Sequence, residues 1–315
     1  MTTNGPDPRP PVVVIVGPTG VGKTAATIDL ARALNGEIVG ADSVQIFRHM
    51  DIGSAKPTPA ERAAAPHHLV DVADPDEPWD AARYARVARG VIADIHGRGR
   101  APLVAGGAGL YIRALLEGIF PAGGTDPEVR RRLRDEAAAR GAPALHRRLA
   151  ETDPEAATRI HPNDAFRIVR ALEVLEVTGR HLSTHQADHD FGDAPYRLFR
   201  IGLYREREEL YERIERRVDA MLAEGLLEEV RGLLARGYGP ELKPMGAIGY
   251  RHMVDFLAGR VDWAETVRLL KRDTRRYAKR QLAWFRAEAD TRWTTPESMG
   301  ALLPELKNFL RRDGG

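Results

Sequence analysis

A chain of 315 residues can bury a full core, and at about 150 residues per domain it suggests two domains. The absence of cysteine excludes disulfides, thiolate zinc sites, iron–sulfur ligation and a cysteine nucleophile, and makes the cytoplasm the expected compartment. With 47 basic and 45 acidic residues the net charge is +2, so overall charge does not mark a nucleic-acid binder and only its distribution can.

The start, MTTNGPDPRPP, is polar and Pro-rich and does not read as a secretory signal. No apolar run approaches the roughly 20 residues that span a bilayer, so no membrane association is expected. Residues 11–16 (PVVVIV) form a β-branched run that predicts a buried parallel strand. A Gly-rich turn follows at 17–24, then a helix over 25–34 and a short strand over 37–40 that ends at Asp42 and Ser43. Residues 67–72 (HHLVDV) predict a third strand, with a structural role for His67 and His68. Residues 79–96 carry Ala82, Val87, Val91 and Ile95 at helical spacing. A fourth strand over 101–105 leads into Gly106, Gly107 and a helix to about Leu116. The alternation predicts an α/β fold, a parallel sheet flanked by helices.

From Asp126 to about Gln186 the signals are helical, with breaks at Asp153-Pro154 and Pro162-Asn163. Residues 197–204 (RLFRIGLY) then predict another buried strand. Residues 122–195 thus read as a helical insertion into an α/β core made of 1–121 and 196–315. The core ends in helices over 206–221, 224–236, 250–257 and 263–286, and the last dozen residues read as a weakly anchored helix with a frayed end.

Gly17-Pro18-Thr19-Gly20-Val21-Gly22-Lys23-Thr24 matches G-x-x-x-x-G-K-[ST] in full, after a strand and opening a helix. Such a loop turns backbone N–H groups around phosphate oxygens, and the helix N-terminus adds partial positive charge. Lys23 reaches the terminal phosphates and the Thr24 hydroxyl ligates Mg²⁺. Only six of the basic residues are Lys, so the retention of Lys23 stands out. Asp42, at the carboxyl end of the second strand, lies where ligands gather in such sheets. It reads as a base toward an incoming nucleophile, or as a helix cap or outer ligand of a metal. Gly106-Gly107-Ala108-Gly109 is either a second ligand-facing turn or a plain tight turn.

The strongest basic cluster is KRDTRRYAKRQLAWFR at 271–286, with one acid, Asp273. At 100° per residue Arg272, Arg275, Arg276, Lys279 and Arg280 share a face, which suits RNA or a solvated helix. A second cluster, from Arg130 to Arg134, opens the insertion, and Arg167 and Arg170 lie further along. His181, His185 and His189 would share a face on a continuous helix, but nearby Gly and Ser favour a loop over a metal site.

These residues together resemble the bacterial tRNA dimethylallyltransferases. The resemblance is carried by the 17–24 loop, DSVQ at 42–45, MDIGSAKP at 50–57, HHLVD at 67–71, GGAGLY at 106–111, DPEVR at 126–130, Asn163-Asp164, RIVRAL at 167–172, GAIGYR at 246–251 and KRQLAWFR at 279–286, in order over about residues 12–290. It implies a P-loop NTPase-like fold and transfer of a dimethylallyl group from dimethylallyl diphosphate to N6 of adenosine 37 in tRNA. It implies that residues 17–24 hold the diphosphate with Mg²⁺ rather than ATP, and that Lys23 and Thr24 stabilise charge on the leaving group. Asp42 then matches the base that binds N6 of the flipped-out adenine.

The resemblance also assigns tRNA contacts. They fall on Asp42, Ser43, Val44 and Gln45, on Ala108 and Arg130, and on Phe166, Arg167, Ile168, Val169 and Arg170. Further contacts fall on Gly246, Ala247, Ile248, Gly249, Tyr250 and Arg251, and on Lys279, Arg280, Gln281, Leu282, Ala283, Trp284, Phe285 and Arg286. Two positions depart from the family pattern: Ala108 stands where Thr or Ser is usual, and Phe166 where Gln is usual. The expected partners are the tRNA anticodon loop and dimethylallyl diphosphate, bound by a monomer. Adenylate isopentenyltransferases and small-molecule kinases share the P-loop, but the insertion and the 271–286 cluster favour a large RNA acceptor. A nucleotide switch would need a second Mg²⁺ carboxylate, for which Asp71 is the candidate.

Overall fold

Strand β1 (Pro11–Val16) is buried at all six residues, as a β-branched run covered on both faces requires. The computed structural model describes residues 7–118, 126–189 and 194–311. With β2 (Gly36–Ala41), β3 (His67–His68), β4 (Ala101–Gly106), β5 (Arg197–Leu203) and β6 (Thr291–Thr294), β1 forms one sheet of order β3-β2-β4-β1-β5-β6. Every pairing is parallel. The first unit carries helices α1 (Lys23–Ala33), α2 (Pro59–Ala64), α3 (Ala81–Gly97) and α4 (Gly109–Glu117) ahead of the inserted segment. The segment itself holds α5 (Pro127–Arg140), α6 (Ala142–Thr152), α7 (Pro154–Arg159), α8 (Ala165–Thr178) and α9 (Leu182–His189). Then come α10 (Arg207–Ala223), α11 (Leu226–Ala235), α12 (Tyr250–Leu257), α13 (Trp263–Arg286) and α14 (Leu303–Leu310). The chain divides into two compact units, Met1–Leu116 with Ala194–Gly315, and Glu117–Asp193. No described helix is long and apolar enough to cross a membrane.

The sequence pattern misjudges four elements. β3 is two residues rather than six, because Leu69 (φ 62) and Asp71 (φ 57) turn left-handed and leave the extended conformation. That turn carries Asp71 to Lys56 Nζ (2.5 Å) and Arg62 (2.8 Å), so its carboxylate is committed to two cations rather than free as a metal ligand. β6 gives no apolar run, being a four-residue segment, TRWT, with no buried residue. The run expected as a loop around His185 is helix α9, where His185 Nε2 lies 3.1 Å from Thr178 Oγ1; the side chain of His189 lies outside the described residues.

α14 is the fourth. It is anchored, not loose: Leu306 is fully buried in the cluster that joins Val13 and Ile15 of β1 to Ile28 and Leu30 of α1 and Ile201 of β5. Leu306→Ala is therefore expected to lower stability by about 2–5 kcal/mol, the usual cost of a Leu-sized cavity. An unchanged denaturation midpoint would restore the loose-helix reading.

The inserted unit has its own core of Leu133, Leu145, Leu149, Ile168, Val169 and Leu172, among others. Gly141 (φ 80), with Pro143 in the first turn of α6, adds a break between α5 and α6 beyond the two expected.

Candidate active site

Parallel strands put their carboxyl ends on one edge, and the register here is level. Val16 pairs with Gly106, Gly106 with Ala41, and Val16 with Gly202. The residues that follow, Gly17, Gly107 and Asp42, therefore emerge side by side. Gly22 (φ 103) makes the left-handed turn that starts α1, a conformation an L side chain resists. Lys23 Nζ donates to Gly17 O (2.8 Å) and Pro18 O (2.9 Å), so the loop is curled around its own ammonium. Burial pushes Lys23 down to about 7; the Arg217 cation adds to the fall and Asp42 opposes it.

A cavity of about 870 Å³ opens at this edge. Its lining includes Thr19, Gly20, Gly22, Lys23, Thr24, Asp42, Ser43, Val44, Gln45 and Gly107. It also includes Gly246, Ala247, Ile248, Gly249, Arg251, Arg280 and Gln281. Most of the first unit's sequence-predicted site thus converges on one space. Asp42 Oδ1 accepts the N–H groups of Val44 (2.8 Å) and Gln45 (3.2 Å), the arrangement of an Asx turn. Of the readings left open for Asp42, the helix cap gives way to a turn cap, since no helix starts here: one oxygen holds the turn while the carboxylate lines the cavity.

Several contributors escape the sequence reading. Arg213 Nε donates to Gly20 O (2.9 Å) and Arg205 Nε to Val21 O (2.9 Å), buttressing the loop from behind. Arg217 lines the cavity, and no hydrogen bond or ion pair joins it to another described residue. Burial pushes its guanidinium down and Asp42 opposes that fall. It is a fixed cation facing a space that also holds Lys23, which suits a multiply charged anion. The spacing of Arg213, Arg216 and Arg217 at i, i+3 and i+4 was the available signal. Tyr277 also faces the cavity, its phenol pushed well up by burial and by Asp42.

α13 is less free than its sequence suggests. Lys271 pairs with Asp219 (2.7 Å), Arg275 with Glu215, and Arg272 with Asp273 (2.8 Å), which Arg251 shares (2.7 Å). The single-acid reading missed Asp219 and Glu215 because they lie on α10, far off in sequence. Arg276, Lys279 and Arg286 remain exposed and unpaired among the described residues, and Arg280 is exposed beside Tyr277. Gln281 is buried and points inward: Oε1 accepts Thr19 N–H (2.8 Å) and Nε2 donates to Gly107 O (3.0 Å). A Cβ on Gly107 would fall 2.2 Å from that Nε2, so a side chain there would displace the Gln281 amide from Gly107 O. Phe285 and Tyr250 are buried as well, and Trp284 packs over Gly109. Their side chains build the scaffold, so surface contact on this stretch falls to its cations and to exposed Ala283, with Leu282 half-buried. The Ala108 N–H is committed to Ala41 O (3.1 Å), and Ala108 does not line the cavity.

In the inserted unit Phe166 is 75% exposed and Arg167 is also exposed, its one ion pair among the described residues being with Asp164. Ile168 and Val169 are buried in that unit's core, so their side chains present nothing to a partner. Arg130 (3.0 Å) and Arg170 (2.7 Å) both bind the fully buried Glu173, which also accepts Asp126 N–H (3.1 Å). In this conformation they neutralise a carboxylate that would be costly to bury unpaired.

Comparison with known proteins fits this geometry. The IPP transferase family matches residues 45–288, and the isopentenyl transferase family matches residues 10–68. A protein of Syntrophobacter fumaroxidans called tRNA dimethylallyltransferase is 58% identical over 283 residues, covering 90% of this chain and 83% of its own. The crystal structure of a full-length tRNA isopentenylpyrophosphate transferase from Bacillus halodurans aligns with a TM-score of 0.71 at 41% identity, over 95% of this chain and 96% of that one. A eukaryotic dimethylallyltransferase described as acting on tRNA aligns with a TM-score of 0.73 at 30% identity, over 88% and 70%. With a P-loop, an Asp just beyond its second strand and a match over most of its length, the chain belongs to the IPP transferase family.

Proposed function

We propose that the protein is a tRNA dimethylallyltransferase that moves a dimethylallyl group from dimethylallyl diphosphate to N6 of adenosine 37 in the anticodon loop. The observation that carries the reading is the lining of one cavity by Lys23, Arg217 and Asp42 together. The N6 lone pair bonds to C1 of the dimethylallyl group as the C1–O bond breaks, and the electron pair leaves on the diphosphate. Asp42 accepts the N6 proton. Lys23, Arg217 and the loop amides meet negative charge as it grows on the leaving group, where fixed donors act most strongly. The adenine has to leave its stack to reach so recessed a carboxylate.

The Thr24 hydroxyl lines the same cavity, and oxygen donors with few protein ligands suit Mg²⁺ shared with phosphate oxygens. Bound there, the ion supplies further charge against the diphosphate. The expected form is a cytoplasmic monomer.

Incubation of the protein with labelled dimethylallyl diphosphate and unmodified tRNA, AMP or ATP tests the reading. Label is expected in tRNA, at the adenosine beside the anticodon. Label in AMP or ATP but not in tRNA overturns it. The surface of α13 gives a separate expectation. Arg276→Gln with Lys279→Gln removes two exposed cations that do not line the cavity. At about 0.7 counterion released per phosphate neutralised on a single strand, the log–log salt slope of tRNA binding is expected to flatten by about one unit, with donor binding intact. An unchanged slope and affinity would make this face merely solvated.

A further inference from the structure

The turn that holds Asp42 is itself held. Gln45, whose N–H bonds Asp42 Oδ1, sends its side-chain Nε2 to Ser54 O (3.1 Å) and Ala55 O (3.0 Å). Ser54 and Ala55 end a loop whose three preceding N–H groups converge on one carboxylate. Asp51 N (2.9 Å) and Ile52 N (2.7 Å) donate to Glu229 Oε2, and Gly53 N (3.1 Å) donates to Oε1. Tyr250 Oη donates to Oε1 as well (2.8 Å). The Tyr250 ring closes over Gly53, where a Cβ would lie 2.6 Å from it. Gly53, Ser54 and Ala55 line the same cavity as Asp42.

Four donors on one carboxylate make a stiff clamp, because each is a charge-assisted hydrogen bond. Glu229 lies on α11, which is fixed independently by buried Leu226, Val230 and Leu233. The loop also contains Ala55 in the left-handed region (φ 47), a conformation that persists only where the surroundings enforce it. Hydrogen bonds at both ends of the 51–55 backbone thus connect α11 through Gln45 to the Asp42 carboxylate.

We propose that Glu229 is a positioning residue for the transfer reaction, clamping the 51–55 loop so that Gln45 sets the Asp42 carboxylate in the cavity. The inference rests on the reading of Asp42 as the base. Glu229→Gln keeps the shape but replaces one acceptor oxygen by an NH₂ that faces backbone donors, so the loop loses at least one anchor.

The test is single-turnover transfer of labelled dimethylallyl to tRNA. In Glu229→Gln the rate constant is expected to fall about tenfold, with burst amplitude and donor KM within twofold of wild type. A lower amplitude with an unchanged rate constant means fewer folded molecules and overturns the proposal. In an Asp42→Asn background Glu229→Gln is expected to cause no further fall, since both act through one group. A second tenfold loss in that background also overturns it. If Asp42→Asn alone transfers at the wild-type rate, the reading of Asp42 has failed, an outcome distinct from either of these. Should Glu229→Gln not fold, Gln45→Leu decides. It cuts the same chain one link nearer Asp42, leaves all four donors on Glu229, and is expected to show the same tenfold fall at full amplitude. An unchanged rate constant there overturns the proposal.

Discussion

Lys23→Ala is expected to lower the single-turnover rate of dimethylallyl transfer by about 10²–10³-fold at saturating donor, the usual cost of one donor aimed at developing charge. That corresponds to about 2.7–4 kcal/mol of transition-state stabilisation, at 1.36 kcal/mol per factor of ten. The free ammonium is satisfied by Gly17 O and Pro18 O, so donor binding must exchange two carbonyls for phosphate oxygens. The exchange favours the diphosphate because its oxygens carry charge and the carbonyls do not. Wild-type turnover in this variant would remove the loop from the mechanism.

The depressed pKa adds a pH dependence whose sign is fixed. Lys23 titrates near 7 in the free protein, and a bound diphosphate raises that value. The complex therefore holds a proton that the free protein loses as pH rises. Donor affinity contributed by Lys23 is full below about pH 7 and falls above it, by at most tenfold per pH unit, until the pKa of the complex is reached. The diphosphate has its own titration, so the informative quantity is the difference between the wild-type and Lys23→Ala profiles. Calorimetry in buffers of different ionisation enthalpy is expected to show proton uptake on donor binding near pH 8 in the wild type only. Equal uptake in the variant would assign it to another group.

What the sequence made legible depended on whether the signal was local. β1, the P-loop and the start of α1 are one contiguous stretch in which strand propensity, glycine and Lys–Thr each have a fixed place, and they were readable to within a residue or two. Asp42 followed from strand-end geometry. β6 was not readable, because a half-exposed edge strand need not be apolar. Arg217 and Glu229 were missed for a different reason. Each is an ordinary residue on an amphipathic helix until folding brings it to a loop some 175 or more positions away, as the Glu229 bonds to residues 51–53 illustrate. The same distance effect led the cations of α13 to be overcounted, since the acids that pair with Lys271 and Arg275 lie on α10. Gln281 shows the converse: a residue in a basic, RNA-like run is turned inward to join the P-loop to the Gly107 turn.

Asp42→Asn separates catalysis from architecture in a way few other substitutions in this site can. Asn is nearly isosteric, and its carbonyl oxygen can still accept the Val44 and Gln45 N–H groups that fix the turn. What is lost is the proton-accepting charge. The single-turnover rate constant is expected to fall by about 10²–10⁴-fold, the range general-base catalysis supplies, while tRNA affinity changes less than about threefold. A second consequence follows from the charges in the cavity. Asp42 opposes the depression of Lys23, so its removal lets the Arg217 cation and burial push Lys23 lower still. The fall of donor affinity with pH is then expected to begin below pH 7 in Asp42→Asn, whereas a substitution at a residue that merely supports the turn would leave it in place. Reduced transfer with an unmoved donor profile would mean that Asp42 acts only on the acceptor. An unaltered rate constant would mean that Asp42 only ties its own turn, and that the proton of N6 departs to a different group.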